Sequence, residues 1–270
     1  MSYEYERVAT PASGRRLHLN ENTAGCSPAV IAALQSLTRQ DAAFYPDYDA
    51  AIEATAAHLG VTADRVLLTN GMDEGILAVS VAALRGFAAA APAEAIVVQP
   101  AFDMYAACTD AAGGRLVFVA PEPDFSFRAE RVLAAMNERT RIVWLTTPNN
   151  PTGRMIPRDE IVSIAKAAPS ATIFVDEAYA DFCGTTLIGD PILDELPNIV
   201  VGRTFAKAHG LAALRAGALI ASPATLAPLR RVVPPYSINV ATAVALPAAF
   251  GDRRYFEWYL AEVRQSKELL

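Results

Sequence analysis

Lys207 lies in Thr204-Phe205-Ala206-Lys207-Ala208-His209-Gly210, downstream of Pro148-Asn149-Asn150-Pro151-Thr152-Gly153 and then Asp176-Glu177-Ala178-Tyr179. A lysine amine condenses with an aldehyde. A carboxylate such as Asp176 can keep a heteroaromatic ring nitrogen protonated, so that electrons released at a neighbouring carbon flow into the ring. An amide (Asn150) and a phenol (Tyr179) can both hydrogen-bond a ring oxygen and fix the ring's tilt. Each residue also has a plainer use: a solvated lysine, a strand-end or helix-capping aspartate, an asparagine shaping an Asn-Pro turn, a core tyrosine. The order and company of the three segments favour the chemical reading.

The positioning elements can be read from hydrophobic runs. Short apolar, often β-branched stretches fall at 66–68, 96–98, 116–119, 142–145, 172–175, 199–201 and 218–220. They predict buried strands. Helical spacing between most of them, at 74–84, from about 103, at 129–136 and at 157–167, predicts a mainly parallel α/β sheet covered on both faces. Ligands of such sheets sit outside the carboxyl ends of the strands. Asn150, Asp176, and Thr204 with Lys207 follow three of those ends.

Composition permits a small-molecule enzyme. Over 270 residues, 53% are apolar and 19% charged, enough for a large core with a soluble surface. A net charge of -6 argues against nucleic acid or an anionic membrane as the main partner. Cys26, Cys108 and Cys183 are far apart and show no ligand spacing with His18, His58 or His209, so no metal site is expected and the thiols read as reduced and mostly buried. Met1 to Arg7 carry no apolar signal core, which points to a cytoplasmic location. From Asp252 onward, Phe256, Tyr259, Leu260 and Val263 recur at the spacing of a long amphipathic helix.

With Leu19-Asn20-Glu21-Asn22, Tyr45-Pro46, Thr69-Asn70-Gly71-Met72-Asp73-Glu74-Gly75-Ile76 and Pro100-Ala101-Phe102-Asp103-Met104-Tyr105, the chain resembles a fold-type I aminotransferase dependent on pyridoxal 5'-phosphate (PLP), and most of all the histidinol-phosphate aminotransferases. The resemblance implies a three-layer α/β sandwich with a mainly parallel seven-stranded sheet. It divides the chain into an N-terminal segment and arm (1–45), a PLP-binding large domain (46–250) and a helix (251–270) leading toward a small C-terminal domain that is missing or incomplete. Residues 1–270 then read as part of a longer protein or as a shortened relative, without the arginine that clamps the substrate carboxylate and orients its α C–H bond.

The resemblance also implies roles. Lys207 would bind the cofactor aldehyde and shuttle the proton, Asp176 would pair with the pyridine nitrogen, Asn150 and Tyr179 would contact the phenolate oxygen, and Phe102 would stack on the ring. The phosphate would lie at the amides of Gly71, Met72 and Asp73, at a helix start whose N–H groups attract an anion, with Thr204 and Arg215 closing the pocket. Tyr45 would reach the phosphate of the partner subunit in a homodimer. Tyr105 is an alternative stacking ring, Glu21 either contacts substrate or orders the N-terminal segment, and His209 reads as a packing or surface residue. Ala206 departs from the family, which usually places a serine there; the lost contact costs about 1 kcal/mol if no water replaces it.

The expected reaction is transamination between an amino acid or amino phosphate, histidinol-phosphate-like or aromatic, and a 2-oxo acid. A PLP lyase or synthase of the same fold would use Lys207, Asp176 and Asn150 equally, and a non-catalytic PLP-binding or dimerising protein is the reading from a different class. Arg15, Arg16 and Arg39 cannot be assigned to a substrate anion from sequence.

Overall fold

Each apolar run feeds two cores at once. A computed structural model describes residues 18–88 and 90–269; the Met1 to Arg7 segment, Arg15 and Arg16 lie outside the described residues. Its strands are β1 (Val66–Asn70), β2 (Glu94–Val98), β3 (Arg115–Val119), β4 (Thr140–Thr146), β5 (Thr172–Asp176), β6 (Ile199–Thr204) and β7 (Ala216–Ile220). Along them the side chains alternate. Val143, Leu145, Ile173, Val175, Ile199 and Val201 enter one core, while Ile142, Trp144, Phe174 and Val200 enter the other. A strand with period two and no polar face must be covered on both sides, which is why the sheet is the middle of three layers.

The seven strands form one sheet in the order β1-β7-β6-β5-β4-β2-β3. Pairings from β3 through β6 are parallel, and β7 is antiparallel to both β1 and β6. On one face the helix Gly71–Leu84 buries Met72, Ile76, Val79 and Leu84. On the other, the helices Pro28–Gln35, Asp49–Leu59 and Val240–Gly251 pack together. Each fully buried Leu, Ile or Phe contributes about 1.5–3 kcal/mol relative to exposure. The last helix, Arg253–Glu268, has the expected amphipathic pattern: Phe256, Tyr259, Leu260 and Val263 are half-buried and none of its residues is fully buried.

The thiol expectation needs correcting. Only Cys108 is buried; Cys26 is half-buried and Cys183 exposed, because Cys183 ends a four-residue helix at the surface. Among the described residues no helix is long and apolar enough to cross a membrane, and no group of three metal-ligating side chains occurs.

The turn after Lys207 carries a second cluster. Gly210 adopts φ +70°, and a Cβ there would stand 2.6 Å from the Gly25 carbonyl oxygen, so the turn docks tightly on the N-terminal segment. His209 is 4% exposed, stacks on Phe256 at 4.4 Å and meets the edge of His58, which stacks on Phe250. Burial lowers the proton affinity of both imidazoles; for His209, His58 and Arg203 add repulsion. The folded state therefore binds fewer protons than the unfolded chain below the ordinary histidine pKa of about 6.5, so this cluster's stability is complete above that pH and is lost as pH falls. We expect the melting temperature to drop between pH 7.5 and pH 5, and His209→Phe to make that drop shallower; equal pH slopes in the two proteins would contradict it.

Candidate active site

Three parallel strands end at one edge of the sheet, and β7 begins there because it runs the other way. Thr146 closes β4, Asp176 closes β5 and Thr204 closes β6, while Arg215 immediately precedes β7. Asn70 at the end of β1 pairs with Ala216, which brings the start of the helix Gly71–Leu84 beside Arg215. A cavity of about 490 Å³ opens at this edge, within the roughly 300–1,000 Å³ usual for small-molecule sites.

Of the sequence candidates, Lys207, Asp176, Tyr179, Asn150, Phe102, Thr204, Arg215, Met72 and Asp73 all line this cavity. Gly71 and Tyr45 do not. Gly71 lies just behind the wall, and Tyr45 is 78% exposed on the surface, stacked on Tyr236 at 4.2 Å. His209 faces the aromatic cluster instead, and Arg39 is an exposed residue at the start of a short helix.

Lys207 points its Nζ into the cavity, donating to the Leu19 carbonyl at 3.0 Å, 6.0 Å from the centre of the Tyr179 ring. Burial holds its amine below the ordinary lysine range and the nearby Arg215 pushes the same way, against Glu21, Asp73 and Asp176. A larger share of the side chain is thus neutral and nucleophilic. Tyr179 accepts a 3.0 Å hydrogen bond from the Asn20 amide, and burial raises its pKa, so the phenol keeps a proton to donate. The N-terminal segment, through His18, Leu19, Asn20 and Glu21, forms one wall of the site.

Asp176 is buried, and burial raises its pKa. Hydrogen bonds from the Tyr105 hydroxyl to Oδ2 (2.7 Å) and from the Ala178 N–H to Oδ1 (2.9 Å) oppose that shift. Tyr105 and Phe102 both line the cavity, but Tyr105 is 1% exposed and its hydroxyl is taken up by Asp176 and Thr146. Asn149, not Asn150, shapes the Asn-Pro turn, donating to Pro100 O and Thr152 Oγ1, both at 3.0 Å. Asn150 is left on the cavity.

At the other end, Asn70 provides no side-chain cap for the helix Gly71–Leu84, so its first-turn N–H groups are not taken by a capping side chain. Arg215 adopts φ 58° and sets its guanidinium against Gly71, where any Cβ would lie 2.5 Å from Arg215 Nη2. Asp73 holds that guanidinium at 2.7 Å. Thr204 Oγ1 accepts from the Ala206 N–H at 3.3 Å, fixing the turn that carries Lys207. Amine, buried carboxylate and phenol at one end, with guanidinium and helix amides at the other, match the donors that PLP needs along its length.

This fold and site define a fold-type I PLP-dependent transferase. Residues 14–270 match the aminotransferase class I and II family. The chain is 31% identical over 262 residues to a histidinol-phosphate aminotransferase of Methanococcoides burtonii, covering 96% of this chain and 71% of that protein. It is 36% identical over 242 residues to histidinol-phosphate aminotransferase 1 of Thiobacillus denitrificans, covering 88% and 61%. A histidinol-phosphate aminotransferase from Sinorhizobium meliloti, solved with PLP, shares the fold with a TM-score of 0.81 at 24% identity, over 93% of this chain and 67% of that one. The chain belongs to the class I and II aminotransferases, and its cofactor is PLP. It spans about two thirds of the length of these relatives.

Proposed function

We propose that the chain serves transamination between an amino acid or amino phosphate of the histidinol-phosphate or aromatic class and a 2-oxo acid, in a cytoplasmic homodimer. The convergence of Lys207, Asp176, Asn150, Tyr179 and Arg215 on a single cavity carries this reading; the names of the relatives supply the substrate class. PLP, when bound, supplies an electron sink conjugated to the substrate α carbon. Lys207 is the nucleophile toward the cofactor aldehyde and then moves a proton to and from the α carbon through Nζ. Asp176 stabilises the protonated ring nitrogen with a buried negative charge. Asn150 and Tyr179 donate to the ring oxygen, Phe102 flanks the ring, and Thr204, Arg215 and the N–H groups of Gly71, Met72 and Asp73 hold the phosphate. Tyr45, with its exposed ring, reaches the partner subunit's phosphate.

The domain division follows the same reading: a segment and arm over 1–45, the PLP-binding large domain over 46–250, and the helix of 251–270 beyond it.

Arg215→Ala is expected to weaken PLP binding about 10–100-fold, the worth of hydrogen bonds to a charged group, in an absorbance titration of the purified chain. An unchanged affinity would remove Arg215 from the phosphate site. Substrate class is tested by a donor screen with 2-oxoglutarate as acceptor. Histidinol phosphate or aromatic amino acids should give new amino acid in equimolar amounts. Release of a substrate fragment without amino transfer would favour the lyase reading instead.

A further inference from the structure

We propose that Tyr105, backed by Thr146, is a positioning residue that holds the Asp176 carboxylate in the orientation it presents to the cavity; this rests on the reading of Asp176 as the partner of the cofactor ring nitrogen. The hydrogen bonds have only one consistent direction. Asp176 as a carboxylate has no proton to give, so Tyr105 donates its single proton to Oδ2, and the Thr146 hydroxyl, 2.7 Å from the Tyr105 oxygen, must donate to Tyr105. Ala178 N–H occupies the other oxygen, Oδ1, at 2.9 Å. Two donors from separate elements, the helix Met104–Ala111 and the turn after β5, hold one oxygen each and so fix the plane of the carboxylate.

Tyr105 cannot swing away to release it. Its ring stacks on Trp144 at 5.1 Å and 14°, and the Trp144 indole N–H donates to Thr109 Oγ1 at 3.3 Å, on the same helix as Tyr105. The edge of the Phe102 ring meets Tyr105 at 5.9 Å and 89°. One buried side chain therefore contacts both the carboxylate that would pair with the ring nitrogen and the Phe102 ring that would flank the cofactor.

Charge supports the geometry. Around Asp176, burial and the charge of Asp73 disfavour the carboxylate, and Lys207 favours it; Tyr179 also lies within its field. The Tyr105 hydrogen bond is the largest of the influences that offset burial. Without it, Asp176 would hold its proton to higher pH and lose the charge that keeps a ring nitrogen protonated.

Tyr105→Phe keeps the stacked ring and deletes only the hydroxyl. In the ligand-free chain with ¹³C-labelled aspartate, the Asp176 carboxyl should titrate at higher pH than in the wild type. With PLP bound, the pH profile of the visible absorbance should shift, and kcat should fall about 10–100-fold, the worth of a hydrogen bond to a charged group, with KM much less affected. Thr146→Val should move the titration the same way by less, and Thr146→Ser should restore it. An Asp176 titration in Tyr105→Phe that matches the wild type overturns the proposal. If Tyr105→Phe fails to fold, identical titrations in Thr146→Val and Thr146→Ser overturn it. If the wild type binds no PLP, the ligand-free titration still decides the role of Tyr105, while the proposed function falls separately.

Discussion

Lys207→Ala abolishes the visible absorbance that PLP gains on joining a protein amine and lowers kcat for amino transfer by roughly 10⁴-fold, the upper end of what one positioned proton-transfer group contributes. That factor corresponds to about 5.5 kcal/mol of barrier. The loss is large because Lys207 has two tasks that no neighbour can take over. Among the described residues His18 is the only imidazole on the cavity wall, and Arg215 is paired with Asp73 at the other end. The fold should survive. Among the described residues the Lys207 side chain donates one hydrogen bond, to Leu19 O, and it sits at the edge of the sheet, outside both hydrophobic cores. Circular dichroism and thermal melting near wild-type values, with absorbance and turnover lost, are the expected pair of results. Turnover within tenfold of the wild type would remove Lys207 from the chemistry.

Asp176→Asn separates binding from electron withdrawal. The side chain keeps its shape and its place on the cavity wall, but it no longer carries the buried charge that would face a protonated ring nitrogen. Removing one member of a buried ion pair costs about 3–5 kcal/mol, so kcat should fall by roughly 10²–10⁴-fold, while the Lys207 linkage and its visible band persist. The ligand-free chain should respond in the opposite direction. Burial raises the Asp176 pKa, so its contribution to stability is present at low pH and is lost as pH rises through the folded-state value. Above the folded-state value the ligand-free wild type carries a buried charge that weakens the fold, and there Asp176→Asn should melt at the same temperature or higher. A variant that loses both the band and the fold would mean that Asp176 is structural.

The candidate site was legible where the chain itself signals a strand end. Asp176 directly follows three apolar residues, and Asn150 and Lys207 come a few residues after similar runs, so the rule that ligands sit at carboxyl ends placed all three without knowledge of the sheet order. Arg215 needed more. It reaches the same edge because β7 is antiparallel, a pairing that Ala216-Gly217-Ala218-Leu219-Ile220 cannot announce, since buried parallel and antiparallel strands read alike. Tyr105 was visible as an aromatic near the site, but its task depends on β2, β4 and β5 lying side by side, so that a side chain on the helix after β2 reaches across to Asp176. The same holds for His58, His209, Phe250 and Phe256, which come from three helices and the Lys207 turn and meet only in the folded chain. Tyr45 is a different case: its expected task lies across an interface between two copies, and in one copy it simply stands on the surface.

The most direct test is to add PLP to the purified 270-residue chain, record the visible spectrum, reduce with borohydride and map the labelled peptide. A visible band that disappears on reduction, with the label confined to Lys207, is the expected result. No band, or a label spread over Lys166, Lys267 and the α-amine, would contradict the assignment of the cofactor to this cavity.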